Sequence, residues 1–426
     1  MRECVIFDLD GTLTKSEEGI WNCVRYAAER LRFPAPDEAT LRRFVGPPLK
    51  YSFMTYMGMD DAEADRAVAA YRERYTTVGL FENRVYPGIR RLLRTLKARG
   101  AYVAIATGKP QGPSERIVAH FGLSPWIDRI VGPQDSAPDK EALIRAALPE
   151  RYDAAWMVGD TRFDVEGGRR AGVRTLGVGY GYGGEAELRQ AGCDAYAATV
   201  QEAIDLLCPG SAPARGAFVS MEGMDGCGKT TQMNLLDDGL TRYGFEVKRS
   251  REPGGCPIGE KVRALLLDPA NAEMTAETEA LLYAASRAQH TRQVIRPAIA
   301  EGKVLLCDRF VDSSIAYQGG GRGLGVEQVT RINAPAVDGT LPDATVYLDI
   351  DRREALRRRA SATGLDRLEM EGDDFHGRVE AAYRELIRRD SERFIVVDAS
   401  RSPEEIGGEV LARVLARLMA LEEARG

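Results

Sequence analysis

Short apolar runs that end in polar residues alternate with longer segments of helical periodicity along most of the chain. This alternation is typical of α/β domains with parallel sheets, because strands covered on both faces are apolar throughout. The runs that predict strands are 5–10, 102–107, 155–160 and 175–179 in the first half, and 217–222, 246–251, 304–308, 344–349 and 394–398 in the second half. The pattern therefore predicts two α/β domains, each built on a parallel sheet.

The boundary between these domains is expected at residues 208–216, which are rich in Pro, Gly and Ser and have no apolar periodicity. We expect a first domain at 1–207, this linker, and a second domain at 217–426. Apolar residues recur at helical spacing from about 15 to 86. About seventy residues are too many for an ordinary crossover, so this segment predicts a helical cap inserted after the first strand.

The composition is that of a globular protein, since 44% of the 426 residues are hydrophobic and 29% are charged. The net charge of −6 argues against nucleic acid or an anionic membrane as a general partner. The seven cysteines form no Cys-x-x-Cys pair, which favours reduced thiols over a zinc site or a disulfide framework. No uncharged apolar run reaches the ~18–20 residues of a membrane span. The first residues lack a signal-peptide pattern, so we expect a cytoplasmic protein.

The first half carries paired carboxylates at the ends of two predicted strands. Asp8 and Asp10 lie two residues apart and therefore share a face of the strand, at the edge where α/β sheets bind ligands. One carboxylate can attack phosphorus to form an aspartyl-phosphate, and the other can protonate the leaving oxygen and then activate water. Asp160 and Asp164 follow a later strand. The four carboxylates predict a Mg²⁺ site, because hard oxygen ligands suit this ion.

Two more residues complete this set. Thr107 follows a third strand and can hydrogen-bond phosphoryl oxygens, and Lys140 lies at a helix start and can supply positive charge. The ordered set resembles the haloacid dehalogenase superfamily of phosphatases over nearly all of residues 1–207. The resemblance implies a Rossmann-like domain with Asp8 as nucleophile, Asp10 as acid/base, and Thr107 and Lys140 as phosphate binders.

The substrate of this half stays open at this point. Residues 44–49 and 71–75 look like the cap of the phosphoglycolate phosphatase and 5′-nucleotidase group, so either class of phosphomonoester is a candidate. Arg72 and Arg74 are candidates for holding a substrate's anionic end. Solvated charges on a helix face are an equally good reading of the same two residues.

A complete phosphate-binding loop opens the second half. It follows a predicted strand, precedes a helix, and reads Gly223-Met224-Asp225-Gly226-Cys227-Gly228-Lys229-Thr230-Thr231. Its glycines allow backbone N–H groups to surround a phosphate. Lys229 would contact the β- and γ-phosphates of ATP, and the Thr230 hydroxyl would ligate Mg²⁺. Cys227 is interpreted as a small filler residue rather than a redox or metal group.

Further elements follow this loop in a recognisable order. They are Asp225, Arg251-Glu252-Pro253-Gly254-Gly255, Leu282-Tyr283-Ala284-Ala285-Ser286-Arg287-Ala288-Gln289, Asp308-Arg309-Phe310 and Ser313-Ser314-Ile315-Ala316-Tyr317-Gln318-Gly319. Together they closely resemble the bacterial thymidylate kinase family over residues 216–426. The resemblance implies a P-loop nucleoside monophosphate kinase domain that transfers a phosphoryl group from ATP to dTMP with Mg²⁺ as cofactor.

The same resemblance implies roles for individual residues. Arg251 and Arg309 would hold the acceptor phosphate, Tyr283 would stack on thymine, and Tyr317 would crowd the sugar 2′ position. The implied dTMP ligands are Arg251, Tyr283, Arg287, Arg309, Ser314, Tyr317 and Gln318, and Glu252 and Asp308 would join Thr230 in organising Mg²⁺. Core tyrosines and a surface ion pair are the alternative readings of Tyr283, Tyr317 and Arg287.

The resemblance also implies a mobile lid at about 357–376. Members of the family place a transition-state arginine either in the phosphate loop or in the lid, and this loop has Gly226 and no arginine. Arg359 or Arg367 must then serve, and we favour Arg367. Residues 360–363 fill a stretch that carries further arginines in related sequences, so the lid departs from the bacterial pattern here.

Three hypotheses of function follow. The first is a bifunctional enzyme, a dTMP kinase joined to a Mg²⁺-dependent phosphatase, which pairs as a homodimer through the kinase half. The second is a thymidylate kinase whose first half is a vestigial phosphatase that serves as a binding or oligomerisation module. The third, a P-loop ATPase stimulated by nucleic acid, is disfavoured by the acidic net charge.

Overall fold

The structure is a computed structural model that describes residues 3–46, 49–133, 139–210, 215–359, 368 and 371–425. The chain divides into two compact units. One comprises residues 1–212 together with 241–245 and 426, and the other comprises 213–240 together with 246–425. The boundaries proposed above at 207 and 217 stay predictions. Within the described residues, no helix combines the length and the apolar character that crossing a bilayer requires.

The first unit is built on a six-stranded parallel sheet with the strand order β3-β2-β1-β4-β5-β6. Its strands are β1 (Glu3–Phe7), β2 (Tyr102–Ala106), β3 (Arg129–Val131), β4 (Ala154–Gly159), β5 (Arg174–Val178) and β6 (Ala195–Ala197). Its helices are α1 (Glu17–Arg30), α2 (Glu38–Arg42), α3 (Leu49–Met57), α4 (Asp61–Arg74), α5 (Ile89–Ala98), α6 (Gln111–His120), α7 (Lys140–Ala147), α8 (Arg162–Ala171), α9 (Glu185–Gln190) and α10 (Val200–Leu207).

The alternation of side chains along β1 explains why this strand lies at the centre. Val5 and Phe7 enter the hydrophobic core on one face of the sheet, whereas Cys4 and Ile6 enter the core on the other face. All four are fully buried, as expected for a strand that helices cover on both sides. β1 pairs with β2 on one side and β4 on the other, which opens a crevice at their carboxyl ends.

The predicted helical cap is present between β1 and α5. It consists of α1 to α4 and a π-helical segment, Tyr75–Gly79. These elements enclose a hydrophobic cluster of their own, which includes Val24, Leu41, Phe53 and Tyr71. A separate core of this kind allows the cap to keep its shape apart from the sheet.

The second unit is built on a five-stranded parallel sheet with the order β11-β10-β7-β9-β8. Its strands are β7 (Ala217–Glu222), β8 (Val247–Arg251), β9 (Val304–Asp308), β10 (Ala344–Asp349) and β11 (Phe394–Asp398). Its helices are α11 (Lys229–Arg242), α12 (Pro257–Leu267), α13 (Ala276–His290), α14 (Arg296–Ala300), α15 (Val311–Ser314), α16 (Val326–Val337), α17 (Arg352–Arg359), α18 (Asp373–Arg389) and α19 (Pro403–Arg425), with π-helical segments at Thr291–Ile295 and Ile315–Gly321. The prediction of two α/β domains with parallel sheets is confirmed.

Two short edge strands escaped the sequence analysis. β3 and β6 have three residues each and lie at the two edges of the first sheet. Three residues are too few to show a period of two, so the pattern predicted no strand at these positions.

Candidate active sites

In the first unit, three carboxylates converge at the carboxyl edge of the sheet. Asp8 follows β1, Asp160 follows β4, and Asp164 lies in the first turn of α8. One carboxylate oxygen from each lies within 4.8 Å of the other two. Lys140, the first residue of α7, bridges two of them, with its Nζ 2.7 Å from Asp8 and 2.6 Å from Asp164.

The pKa values of two of these carboxyl groups show that burial and mutual repulsion disfavour their ionised forms. Burial raises the pKa of Asp8 from its ordinary 3.8 to about 6, because the opposing effect of Lys140 is only partial and Asp164 adds repulsion. Burial and repulsion from Asp164 and Asp8 raise the pKa of Asp160 to about 8. Three carboxylates with one lysine leave a surplus of negative charge, and hard oxygen ligands at this spacing fit Mg²⁺.

Short hydrogen bonds hold these carboxylates in position. Asp160 accepts from the Thr12 hydroxyl at 3.1 Å and from the Tyr182 N–H at 2.7 Å. Gly11 has a φ of +83°, and a Cβ there would lie 2.1 Å from Asp160 Oδ2, so only glycine fits. Asp164 Oδ2 accepts from the N–H of Thr161 at 3.0 Å and from its hydroxyl at 2.8 Å.

Asp10 and Thr107 lie beside a lysine that the sequence analysis missed. Lys109 Nζ is 3.0 Å from Asp10 Oδ2, and the Lys109 N–H donates to the Thr107 hydroxyl at 3.2 Å. Thr107 is buried at the end of β2. The signal was available, since Thr107-Gly108-Lys109 directly follows an apolar strand.

The cap is also joined to this site through Tyr182, a second missed residue. Its hydroxyl accepts from the N–H groups of Ser16 and Glu17, at 2.8 and 3.1 Å, where the chain enters α1. The backbone N–H of the same residue bonds to Asp160. Nothing local in the sequence marks this link, because it joins residues about 165 positions apart.

In the second unit, the loop of residues 223–228 connects β7 to α11. Gly226 and Gly228 have φ values of +87° and +95°, which side-chain-bearing residues adopt at a cost. Lys229 Nζ donates to the carbonyl oxygens of Gly223 and Met224 at 3.2 and 3.1 Å. These are bonds that a bound phosphate could replace. Burial raises the pKa of the Cys227 thiol, which fits the filler interpretation.

A cavity of about 660 Å³ adjoins this loop. The predicted site residues that line it are Asp225, Gly226, Gly228, Lys229, Thr230, Thr231, Arg251, Glu252, Tyr283, Arg287, Asp308, Arg309, Ser314, Tyr317 and Gln318. The predicted ATP ligands Gly223, Met224 and Cys227 are not part of its lining. Arg367, the favoured lid arginine, lies outside the described residues, and Arg359 is the last residue of α17.

Arg309 lines this cavity, and a residue of the phosphate loop holds its side chain. It pairs with Asp225 and donates to Ser313 Oγ at 3.1 Å and to Tyr317 Oη at 3.3 Å. Its φ of +67° is uncommon for a residue with a side chain. Burial alone would raise the pKa of Asp225, but Arg309 and Lys229 outweigh burial and hold that pKa well below its ordinary value.

Arg287 and Glu252, which both line the cavity, form a buried ion pair. Arg287 Nε is 2.7 Å from Glu252 Oε2, and His290 Nδ1 is 2.8 Å from Glu252 Oε1. Arg287 is 1% exposed, so the surface-pair reading of this residue does not hold. Glu252 thus has both carboxylate oxygens engaged, whereas the buried Asp308 Oδ1 has no hydrogen-bond partner among the described residues. Asp308 is therefore better prepared than Glu252 for a metal ion.

Glu222, a further residue that the sequence analysis missed, holds the segment next to Arg309 in place. Its carboxylate accepts from the Phe310 N–H at 2.7 Å, the Ser313 hydroxyl at 2.5 Å and the Tyr383 hydroxyl at 2.9 Å. Burial, with repulsion from Asp312, raises its pKa to about 7. The partners come from two segments that are about 70 residues apart in the sequence, so their assembly around one carboxylate is a tertiary feature.

Comparisons with known proteins agree with this division of the chain. The thymidylate kinase family model matches residues 221–410, and the haloacid dehalogenase-like hydrolase model matches residues 5–178. A thymidylate kinase from Geobacillus thermodenitrificans is 49% identical over 205 residues, which are 48% of this chain and 91% of that protein. A thymidylate kinase from Halothermothrix orenii is 49% identical over 203 residues, which are 47% and 97% of the two chains.

For the first half, a crystal structure of a predicted phosphatase from Clostridium acetobutylicum is 39% identical, with a TM-score of 0.45, over 49% of this chain and 98% of that one. The two halves of the chain thus match a transferase and a hydrolase. The chain therefore belongs to the thymidylate kinase family, and it carries a haloacid dehalogenase-like hydrolase domain in its first half.

Proposed function

We propose that the chain is a bifunctional enzyme. Its second half phosphorylates dTMP to dTDP with ATP, and its first half hydrolyses a phosphomonoester through an aspartyl-phosphate. One observation supports this above others: each unit gathers its own phosphate-handling residues at the carboxyl edge of its own parallel sheet. A 5′-nucleotide and phosphoglycolate are the two substrate classes considered for the hydrolase.

In the kinase reaction, Arg251 and Arg309 bind the phosphate of dTMP and Tyr283 forms a wall for the base. An oxygen of that phosphate attacks the γ-phosphorus of ATP while the bond to the ADP oxygen breaks. Lys229 exchanges its two carbonyl partners for β- and γ-phosphate oxygens. Thr230 and Asp308 would hold Mg²⁺, which neutralises charge on the phosphates. The protein contributes chiefly position and positive charge.

In the phosphatase reaction, Asp8 attacks phosphorus, and the bond to the leaving oxygen breaks as Asp10 protonates that oxygen. Asp10 then takes a proton from water, which attacks the aspartyl-phosphate and releases inorganic phosphate with the Asp8 carboxylate restored. Lys140 and Thr107 hold the phosphoryl oxygens. Asp8, Asp160 and Asp164 would hold Mg²⁺, which supplies the positive charge that this cluster lacks.

Two substitutions in the full chain test the two-site proposal. Lys229→Ala is expected to abolish dTDP formation and to spare phosphate release from a phosphomonoester with Mg²⁺. Asp8→Asn is expected to do the reverse, since an amide cannot attack phosphorus as a carboxylate does. Loss of both activities from either single variant, with an unchanged circular dichroism spectrum, would disprove two independent sites. A wild type without any phosphate release that depends on Asp8 would favour the vestigial module instead.

We also propose that the second half pairs two copies of the chain. More than half of each side chain is exposed at Ile258, Leu265 and Leu281, on α12 and α13. Sedimentation velocity of the full chain tests this pairing, and a monomer at micromolar concentration would refute it.

A further inference from the structure

A buried lysine that the proposed mechanism leaves unused stands beside the acid/base residue of the hydrolase site. The side chain of Lys109 is 8% exposed, and its Nζ lies 3.0 Å from Asp10 Oδ2. The ammonium also donates to the hydroxyl of Tyr75, in the π-helical segment of the cap, and lies 4.8 Å from the centre of that ring. An ammonium has three N–H donors, so one donor remains for a ligand.

Lys109 is positioned near the leaving group of the substrate rather than near the phosphoryl group that is transferred. If Asp10 protonates the leaving oxygen, the two oxygens lie about 2.6–3.2 Å apart in the complex. Lys109 Nζ lies 3.0 Å from Oδ2 of the same carboxylate, so it lies within about 8 Å of the leaving oxygen whichever carboxylate oxygen carries the proton. The phosphoryl side of the site belongs to a different lysine, Lys140, which contacts Asp8. Lys109 therefore faces the part of the substrate that differs between phosphomonoesters.

The cap arginines that the sequence suggested for an anionic substrate group are less suited to this task. Arg74 forms two hydrogen bonds with the carboxylate of Glu82, the longer at 2.8 Å, so its charge is already paired. Arg72 has an exposed side chain on α4. Of the described residues, Lys109 is the buried cation that contacts the predicted acid/base.

The surroundings of Lys109 favour an anion as its ligand. A buried ammonium is costly unless it is paired and hydrogen-bonded. Tyr75 contributes a neutral hydroxyl, so within the described residues Asp10 is the one carboxylate in contact with Lys109. A second anion would accept a charge-assisted hydrogen bond from the open donor, whereas an apolar or weakly polar leaving group would leave that donor without a partner.

We propose that Lys109 is a specificity-determining residue of the hydrolase site: it selects phosphomonoesters whose leaving group carries a second anionic group within a few bonds of the scissile oxygen. A carboxylate and a second phosphate share this chemistry. Esters of neutral alcohols, including nucleosides, are disfavoured. This inference rests on the proposed phosphatase function and makes it narrower.

The test compares phosphomonoesters that share a two-carbon leaving group, with the full chain and Mg²⁺. 2-Phosphoglycolate and 2-hydroxyethyl phosphate differ by a carboxylate in place of a hydroxymethyl group, and ethylene glycol bisphosphate and 2-hydroxyethyl phosphate form the corresponding pair for a second phosphate. The wild type is expected to favour the anionic member of at least one pair by about 10-fold to 100-fold in kcat/KM. The preferred pair identifies which anion Lys109 reads.

Three substitutions make the test specific to Lys109. Lys109→Met keeps the aliphatic stem and is expected to reduce the preference to less than about 3-fold, while Lys109→Arg keeps the charge and most of the preference. Lys97→Met is the matched control, because Lys97 pairs with Asp128 away from the site and its loss should leave the preference unchanged.

Two results would overturn the inference. One is a wild type without preference in either pair, which needs no variant. The other is a Lys109→Met protein in which both members of a pair slow down equally, since that would mean that Lys109 acts only through Asp10. A wild type that hydrolyses none of the three esters, while its kinase remains active, would instead refute the proposed phosphatase function.

Discussion

The hydrolase site gathers four carboxylates around two lysines, whereas the cavity of the kinase half is lined by six basic and three acidic side chains among the described residues. Both sites are proposed to handle phosphate groups, yet their charge balances have opposite signs. The first requires a cation before a phosphate dianion can approach it. The second already has the positive charge that two phosphorylated substrates require.

The two sites also differ in how their key groups are restrained. In the hydrolase site, Lys140 is shared by Asp8 and Asp164, and the carboxylates repel one another. In the kinase site, Asp225 neutralises Arg309 until an anionic substrate competes for the guanidinium. We therefore expect a metal ion to complete the hydrolase site and the substrates to complete the kinase site.

The largest effect is expected from removing the cation at the centre of the kinase cavity. Arg309→Met should lower kcat/KM for dTMP by about 100-fold or more, because the acceptor phosphate loses a charged partner and Asp225 is left unpaired. A coupled assay of ADP formation measures this. Arg249→Met is the control, since Arg249 pairs with Asn234 outside the cavity and should retain full activity. An unchanged kcat/KM in Arg309→Met would remove Arg309 from the substrate site.

A smaller effect is expected in the pH dependence of stability. The pKa of Asp160 is raised to about 8, above its ordinary value, so the folded protein binds this proton more tightly than the unfolded chain. Stability of the metal-free protein should therefore fall as the pH rises from about 4 to about 8. Glu222 contributes in the same direction, so the informative quantity is a difference between variants.

Asp160→Asn isolates this contribution because the amide cannot ionise. We expect the drop in Tm between pH 5 and pH 8, measured by calorimetry in EDTA, to be smaller by about 5 °C in this variant. Mg²⁺ should reduce the drop in the wild type, since the ion favours ionised carboxylates. Equal drops in Tm in the two proteins would mean that ionisation of Asp160 does not destabilise the folded protein.

The smallest effect is expected at the far end of the kinase cavity. Gln318 Nε2 donates to Glu279 Oε1 at 2.9 Å, and Arg322 forms an ion pair with Glu279 at 3.1 Å. A carboxylate only accepts hydrogen bonds, so the Gln318 amide must turn its Oε1 away from Glu279. This oxygen has no hydrogen-bond partner among the described residues, and it can therefore accept a hydrogen bond from a base. Such an acceptor suits the N3–H of thymine and opposes the lone pair on N3 of cytosine.

Glu279→Gln removes this constraint, because the new amide can either donate or accept. The ratio of kcat/KM for dTMP to that for dCMP should fall by about 10-fold. Glu277→Gln, an exposed position on the same helix, is the control and should keep the ratio. A ratio that does not change in Glu279→Gln would show that the orientation of Gln318 does not depend on Glu279.

Sequence reasoning singled out the candidate site residues that are neighbours along the chain. The phosphate-binding loop and the pair Asp160 and Asp164 were found because their residues are close in sequence and follow apolar strands. Arg74 shows the limit, since its ion pair with Glu82 cannot be read from its position on a helix. Glu279 was overlooked for the same reason, because its partner Gln318 is 39 residues away. The position of Lys109 directly after an apolar strand was visible in the sequence, but its ion pair with Asp10, 99 residues away, was not.

The amino-acid sequence by itself determined the two parallel-sheet domains, the phosphate chemistry of each, and the thymidylate kinase relationship, because strand periodicity and loop motifs are local properties of the chain. Only the tertiary structure decided which charges are paired. It joined Lys109 to Asp10, Arg309 to Asp225 and Gln318 to Glu279, since burial turns contacts between distant residues into strong electrostatic constraints.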